Sequence, residues 1–167
     1  MRNFIFSFSL FWIFLSSKAL FAQYCVSNGH DNGSEWIKMV SLNGIQHVSG
    51  ADSSAYADNT NVNFDLSLGN TYNFKVDIGG GYNEFVSVWI DYNQNQVFDS
   101  TETVVKMTGR DSVNSNFIVS SNAQAGITRM RVIMKYGGYV SDPCLIDFGF
   151  GEVEDYCVTI DTAGMTV

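Results

Sequence analysis

The sequence predicts an all-β protein, an antiparallel β-sandwich of the jelly-roll or immunoglobulin-like type. Three observations support this fold class. Apolar and polar residues alternate with a period of two in several segments, turn-forming residues separate these segments, and no stretch shows the periodicity of an amphipathic helix. Several short strands at this spacing are typical of a sandwich. The alternating segments are 71–78, 84–90, 116–120, 128–136 and 156–160.

The connections between these strands are rich in Gly, Asn, Asp and Ser, which are the residues that tight turns require. The early stretch 35–60 is less regular, and we expect one strand there followed by a long loop. No internal repeat or linker divides the chain. One domain is therefore predicted over residues 23–161, with 162–167 as a C-terminal tail.

Residues 1–22 have the layout of a secretory signal peptide. Arg2 precedes an apolar run from Phe4 to Leu15, and small residues follow at Ala19 and Ala22. The run is shorter than the roughly 20 residues that a membrane-spanning helix needs. We therefore expect a protein that is secreted or displayed at the cell surface, with no membrane span after cleavage. The end at Val167 leaves open a free-standing domain or a fragment of a larger exported protein.

The charge balance argues against nucleic acid as a partner. Cleavage after residue 22 would leave 7 of the 9 basic side chains and all 17 acidic ones, a net charge near −10. Such a surface repels phosphate backbones. An acidic excess outside the cell is what a protein that binds divalent cations would carry, although negative charge also serves solubility alone.

Three cysteines follow the signal segment, and in an oxidising compartment two of them should pair. The sequence alone does not name the pair. We favour Cys25 with Cys144, because Cys144 follows Pro143 in a predicted loop, whereas Cys157 lies in an alternating strand and is expected to be an inert thiol. A bridge that closes so long a loop would stabilise the fold by roughly 4 kcal/mol.

The segment 91–102, DYNQNQVFDSTE, directly follows a predicted strand and suggests a calcium loop. Calcium prefers six to eight oxygen ligands, and the EF-hand loop supplies them from places 1, 3, 5, 7, 9 and 12. Phe98 stands at the eighth place, where an apolar side chain anchors such a loop. The corresponding candidate ligands are Asp91, Asn93, Asn95, the carbonyl of Val97, Asp99 and Glu102.

Gln96 occupies the sixth place, where the EF-hand loop has Gly. That place requires a positive φ, which costs a non-Gly residue about 1 kcal/mol. The alternative interpretation of the whole segment is a solvated turn held by Asx hydrogen bonds.

A second group of charged residues lies towards the end of the chain. Two arginines two residues apart share one strand face, as do two glutamates. We expect Arg to face Glu across neighbouring strands in a structural ion pair. Two alternatives remain: the acidic residues add ligands to the calcium loop, or two of them form a glycosidase-like catalytic pair. The residues concerned are Arg129, Arg131, Glu152, Glu154 and Asp155.

No catalytic motif is evident. His30 and His47 are the two histidines, neither lies in an HExxH context, and no G-x-S-x-G segment occurs. We expect a non-catalytic module whose partner is an extracellular protein or a glycan, and a secreted hydrolase is the less favoured alternative. Glycan binding by exposed aromatic rings is a further possibility, since sugars stack on such rings. The candidate rings are Tyr82, Tyr92, Tyr136 and Tyr139.

The chain combines several motifs, namely GEVEDY at 151–156, RMRV at 129–132, WIDYNQNQVFDSTE at 89–102, YC at 24–25, EWI at 35–37 and SGADSSAYADNT at 49–60. Together they resemble the GEVED domain family of secreted bacterial proteins. The resemblance implies a β-sandwich module, usually one part of a larger exported protein beside metalloprotease, adhesin or repeat domains. This chain differs from the family pattern at Gln96, where Gly is usual, and at Leu145 after the Pro-Cys pair.

Overall fold

The computed structural model describes residues 23–162, and within them it shows nine β-strands and one short 3₁₀ helix. The predicted signal peptide 1–22 and residues 163–167 of the predicted tail lie outside the described residues. No helix in the described part is long and apolar enough to cross a membrane. The elements are β1 (Ile37–Leu42), β2 (Ile45–Val48), β3 (Tyr56–Ser67), β4 (Thr71–Ile78), β5 (Glu84–Ile90), η1 (Ser100–Glu102), β6 (Thr103–Gly109), β7 (Ser112–Ile118), β8 (Gly126–Tyr136) and β9 (Gly151–Asp161).

The strands form two sheets, and the predicted β-sandwich is confirmed. One sheet has four strands in the order β2-β1-β4-β7, and the other has five in the order β3-β9-β8-β5-β6. Neighbouring strands pair antiparallel with one exception, since β3 runs parallel to β9. The parallel pair joins strands that are far apart in the sequence, so no hairpin turn could have predicted it.

The expectation of one strand and a long loop in the stretch 35–60 is wrong. β1 and β2 form a hairpin whose two-residue turn is Asn43 and Gly44, with φ values of 52° and 84°. Asn-Gly is the sequence that favours such a turn, because both positions need positive φ. β3 then begins at Tyr56, within the stretch that was expected to be a loop.

Alternate residues of both sheets fill the space between them. Each fully buried aliphatic or aromatic side chain stabilises the fold by about 1.5–3 kcal/mol relative to its exposure. The main core therefore follows from the period-two pattern of the strands. Its fully buried members include Ile37, Val40, Phe74, Val76, Val86, Val88, Ile90, Met130, Val132, Met134, Tyr156 and Val158.

A second, smaller core lies on the other face of the five-stranded sheet. We call it the outer cluster, and its buried members are Trp89, Phe98, Ile133, Val140, Phe148 and Val153. The rings of Tyr24 and Tyr56 pack against it. The N-terminal segment and the loops after β5 and β8 contribute to this cover, so the central strands are buried on both faces.

β9 places two glutamates in the space between the sheets. Glu152 and Glu154 share the strand face of Tyr156, which belongs to the main core, and both are fully buried. Glu152 accepts hydrogen bonds from the backbone N–H of Ile37 and Asp52 at 2.8 Å each. Glu154 accepts one from the Tyr156 hydroxyl at 2.6 Å.

We predict that the buried Glu154 carboxyl makes the protein less stable as pH rises from acid to neutral. Burial raises its pKa from 4.5 to about 7, so between these values the folded state retains a proton that the unfolded chain loses. The free energy of unfolding should therefore fall over this window. Glu154→Gln should reduce the fall by on the order of 1–3 kcal/mol, measured by urea unfolding in EDTA.

The matched control for this prediction is Asp65→Asn, which changes an exposed carboxylate. Its unfolding curve should keep the wild-type dependence on pH. An unchanged slope in Glu154→Gln would show that Glu154 is ionised throughout this range.

Candidate metal centre at the end of β5

The predicted calcium loop leaves β5 at Ile90 and rejoins the sheet at β6. Its backbone takes the left-handed conformation at Gln94, with φ of 55°, and at Gln96, with φ of 65°. Gln96 thus adopts the positive φ that an EF-hand loop requires at its sixth place. The conformation costs a non-Gly residue about 1 kcal/mol, so the surrounding contacts must offset it.

Asp91 supplies several of these contacts from the start of the loop. Its side chain is fully buried, and its Oδ1 accepts the N–H of Asn95 at 3.2 Å. Its Oδ2 accepts the N–H of Gln96 at 2.9 Å and the hydroxyl of Tyr24 at 2.6 Å. The turn of the backbone at Gln96 is therefore what brings its amide onto the Asp91 carboxylate.

Three further candidate ligands form a connected group with Asp91. The side-chain amides of Asn93 and Asn95 donate to Oδ2 of Asp99 at 3.1 and 3.4 Å. Oδ1 of Asn93 accepts the Asn95 N–H at 3.0 Å, and Oδ1 of Asn95 accepts the Val97 N–H at 2.7 Å. The structure therefore brings together Asp91, Asn93, Asn95 and Asp99, with Val97 tied to them through its amide.

Glu102, the last candidate ligand, binds the backbone of the loop. Its Oε1 accepts the N–H groups of Tyr92 and Asn93 at 2.9 and 3.1 Å, and its Oε2 accepts that of Asp99 at 2.9 Å. Burial raises the pKa of this carboxyl. Because Oε1 already has two donors, Glu102 has mainly Oε2 to offer an ion in this arrangement.

The donor set fits a hard cation. Every candidate ligand atom is an oxygen, as calcium and magnesium prefer. Among the described residues no three Asp, Glu, His or Cys side chains are grouped as metal ligands, so an ion here would depend on the asparagine oxygens. Each Oδ1 of Asn93 and Asn95 accepts one backbone N–H and has a second lone pair to offer.

The outer cluster holds the loop against the sheet. Phe98 is 4 % exposed and lies in this cluster, as expected from its place in the motif. The Tyr24 ring lies 5.0 Å from it, centroid to centroid, and the hydroxyl of the same tyrosine reaches Asp91. Tyr24 is a functional neighbour that motif spacing did not identify, because it lies 67 residues before Asp91 in the chain.

The charged residues of β8 and β9 form an ion pair, but the expected pairing of Arg with Glu is wrong. Arg131 faces Asp155 in the strand register and donates to its two oxygens at 2.7 and 2.8 Å. Arg129 reaches the same carboxylate at 3.5 Å. Glu152 and Glu154 point to the opposite face of β9, and since both are fully buried they are neither loop ligands nor open to a substrate.

The Arg131–Asp155 pair is buried and well satisfied. Both side chains are at most 1 % exposed. The guanidinium also donates to the carbonyl of Pro143 at 2.9 Å, and the Tyr56 hydroxyl donates to Asp155 at 3.2 Å. Burial, followed by the Asp155 charge, raises the pKa of Tyr56 to about 12.

The predicted disulfide between Cys25 and Cys144 is confirmed. Their Cα atoms are 5.5 Å apart, and the bridge joins residues 119 positions apart in the sequence. It fixes the N-terminal segment, and with it Tyr24, beside the loop. Cys157 is free and partly buried, and burial raises the pKa of its thiol, which makes it less reactive.

We predict that Asp155→Asn destabilises the protein by about 3–5 kcal/mol, because it leaves a buried guanidinium without its counter-charge. Chemical unfolding of the oxidised protein measures the effect. Asp77→Asn is the matched control, since it breaks the partly exposed 2.7 Å pair with Lys75 and should cost at most about 1 kcal/mol. Equal losses in the two variants would contradict a special role for the buried pair.

The comparison with known families agrees with the motifs. No curated protein matches the chain at a significant level. The family model of the GEVED domain matches residues 85–159. This segment runs from β5 into β9 and contains the loop 91–102, Arg129, Arg131 and the first three acidic residues of β9. The predicted family is therefore confirmed, and the chain carries a GEVED domain over residues 85–159.

Proposed function

We propose that the protein is a non-catalytic extracellular module whose loop 91–102 binds calcium, and that the bound ion fixes a docking surface beside the loop. The observation that carries this proposal is the geometry of the loop. Gln96 takes the backbone conformation of an EF-hand glycine, and side-chain oxygens from four alternate positions lie in one hydrogen-bonded group.

The electrostatics of the loop support a cation. Asp91 and Asp99 are both carboxylates. The side chains that donate hydrogen bonds to Asp99 are neutral amides. A divalent ion between these groups would supply the missing positive charge at the short range where it acts most strongly. Glu102 would retain the backbone of the loop in place with or without the ion.

A groove next to the loop is the surface that we assign to docking. It lies between the N-terminal segment and β8, and Gln96 of the loop forms part of its wall. Arg129 lines the groove, and its guanidinium lies 4.5 Å from the Tyr24 ring centroid. Arginine and aromatic side chains are enriched in protein interfaces. Fixing Gln96 by an ion would thus fix one side of the groove.

The extracellular location is also part of the proposal. The Cys25–Cys144 disulfide is stable in oxidising compartments, and the layout of residues 1–22 is that of an export signal. We also infer an accessory role in a larger secreted protein, such as a protease or an adhesin, because the resemblance to GEVED domains implies this arrangement.

We predict that calcium raises the melting temperature and that Asp99→Asn reduces the rise. An ion that binds the folded state stabilises it by about 2.7 kcal/mol at a concentration 100 times its Kd. Asp99 is the chosen site because its carboxylate accepts hydrogen bonds from side chains of the loop, so its loss should leave the fold intact. Differential scanning calorimetry in calcium and in EDTA measures both effects.

Asp111→Asn is the control, because it removes the same charge from an exposed turn between β6 and β7. It should respond to calcium as the wild type does. A wild-type melting temperature that is equal in calcium and EDTA would refute the calcium proposal.

A calcium-dependent carbohydrate-binding module is the second candidate. Three of the four candidate tyrosines are exposed, namely Tyr82, Tyr136 and Tyr139, whereas Tyr92 is buried. Tyr82 and Tyr136 form an edge-to-face pair with centroids 6.1 Å apart. These two rings lie beside the beginning of β5. The loop 91–102 follows the end of β5, about 20 Å away along the strand. Calcium in the loop would therefore act on a sugar at these rings indirectly.

A glycan array distinguishes the two candidates. If the tyrosines bind sugar, the wild-type protein should give positive spots that Tyr136→Ala loses, because stacking needs the ring. Ile127→Ala removes an exposed apolar side chain elsewhere on β8 and should keep them. If the array shows no positive spots in calcium or in EDTA, the carbohydrate-binding candidate is excluded and the docking role remains.

A further inference from the structure

A buried carboxylate at the beginning of β5 has no hydrogen-bond partner. Glu84 is fully buried, and neither Oε1 nor Oε2 has a donor within reach among the described residues. Its side chain shares the strand face of Val86 and Val88 and so points between the sheets. Leaving such a group bare costs several kcal/mol unless it binds a proton or a cation.

A second buried carboxylate approaches it from the other sheet. Glu35 lies two residues before β1 and is 5 % exposed, and its Oε2 also has no partner. The loop before β5 passes so close that a Cβ on Gly80 would lie 1.8 Å from the carbonyl oxygen of Ser34 and 3.2 Å from the Cα of Glu35. Gly80, four residues before Glu84, therefore packs against the backbone at Glu35, which places both acids at the same end of the sandwich.

The charges around the pair are mainly negative. Burial and then the charge of Glu35 raise the pKa of Glu84 to about 7, while Asp31 acts on Glu35 in the same direction. Lys135 is the nearby cation that opposes this effect on Glu84. Its ammonium group donates to the carbonyl of Tyr136 at 3.0 Å, so it does not neutralise the pair by direct contact.

We propose that Glu35 and Glu84 together bind one divalent cation, separate from the ion of the loop 91–102. Three bare carboxylate oxygens form its first ligands, and calcium or magnesium suits them because both prefer oxygen. No third Asp, Glu, His or Cys completes a ligand group in the described part of the chain. Water and backbone carbonyls must fill the remaining positions, as they commonly do around these ions.

The ion would link the two layers of the sandwich. Glu35 leads into β1 of the four-stranded sheet and Glu84 begins β5 of the five-stranded sheet. Since the two sheets are joined here by side chains and a turn, a shared cation adds a direct bond between them. It also replaces the repulsion of two acids by attraction to a common centre.

The test is the number of calcium ions bound by the wild type, Glu84→Gln and Glu35→Gln, measured by isothermal titration calorimetry at pH 7.5. Gln keeps the shape of Glu and removes its charge, so both variants should fold. We expect each variant to bind one ion fewer than the wild type. In EDTA each should melt at the same temperature as the wild type or higher, because a buried repulsion is removed.

The loop variant keeps this result separate from the proposed function. When Glu84→Gln is added to Asp99→Asn, the double variant should bind one ion fewer than Asp99→Asn alone, whether or not the loop binds calcium. Equal stoichiometry in the wild type, Glu84→Gln and Glu35→Gln would overturn the proposal. The pair would then hold a proton in place of an ion, and Glu84→Gln would leave any calcium response of the loop unchanged.

Discussion

The ion pair of Arg131 with Asp155 is the interaction on which the outer half of the molecule depends. It lies on the face of the five-stranded sheet that a simple sandwich would leave in water, and it is at most 1 % exposed. A charge there is tolerable only if its partners and its cover are complete. The cover is the outer cluster, and Pro143 and Tyr56 complete the hydrogen bonds. The ion pair and the cluster therefore require each other.

The geometry of the candidate metal loop follows from this arrangement. Phe98 is held in the outer cluster, 5.0 Å from the guanidinium of Arg131, and Tyr24 joins Phe98 to the buried carboxylate of Asp91. Apolar packing of Phe98 thus holds the loop against the sheet, and the hydrogen bond from Tyr24 holds it to the N-terminal segment. Its candidate ligands would therefore not have to be organised by an ion alone, which would lower the cost of binding one.

The sequence predicted the strands that are buried on one face and was less informative elsewhere. Period-two alternation located β4 and the end of β7, whose polar and apolar sides differ. β5 and most of β8 were also located, although both are buried on both faces. β9 is buried on both faces from Gly151 to Tyr156, so alternation could not tell which side of it faces the core. This is why Arg131 was assigned to a glutamate when its partner is Asp155.

The loop shows a similar division. Motif spacing identified the side chains that come together, since their positions depend on local geometry. It did not reveal that the Glu102 carboxylate binds backbone amides, since spacing alone does not show which donors a carboxylate takes. It also did not reveal that Tyr24 reaches Asp91, because that contact depends on the path of a distant segment. The parallel pairing of β3 with β9 was missed for the same reason. The pair Glu35 and Glu84 comes from two sheets and has no local signal at all.

The disulfide has a consequence for how the protein responds to proteolysis. Its two halves bracket the chain from Cys25 to Cys144, which includes every turn between β1 and β8. A protease that cuts one of these turns therefore produces two pieces that remain covalently joined, with their strands still hydrogen-bonded in the same sheets. Nicked molecules would persist as single particles, and fragmentation would require a reductant as well as an enzyme.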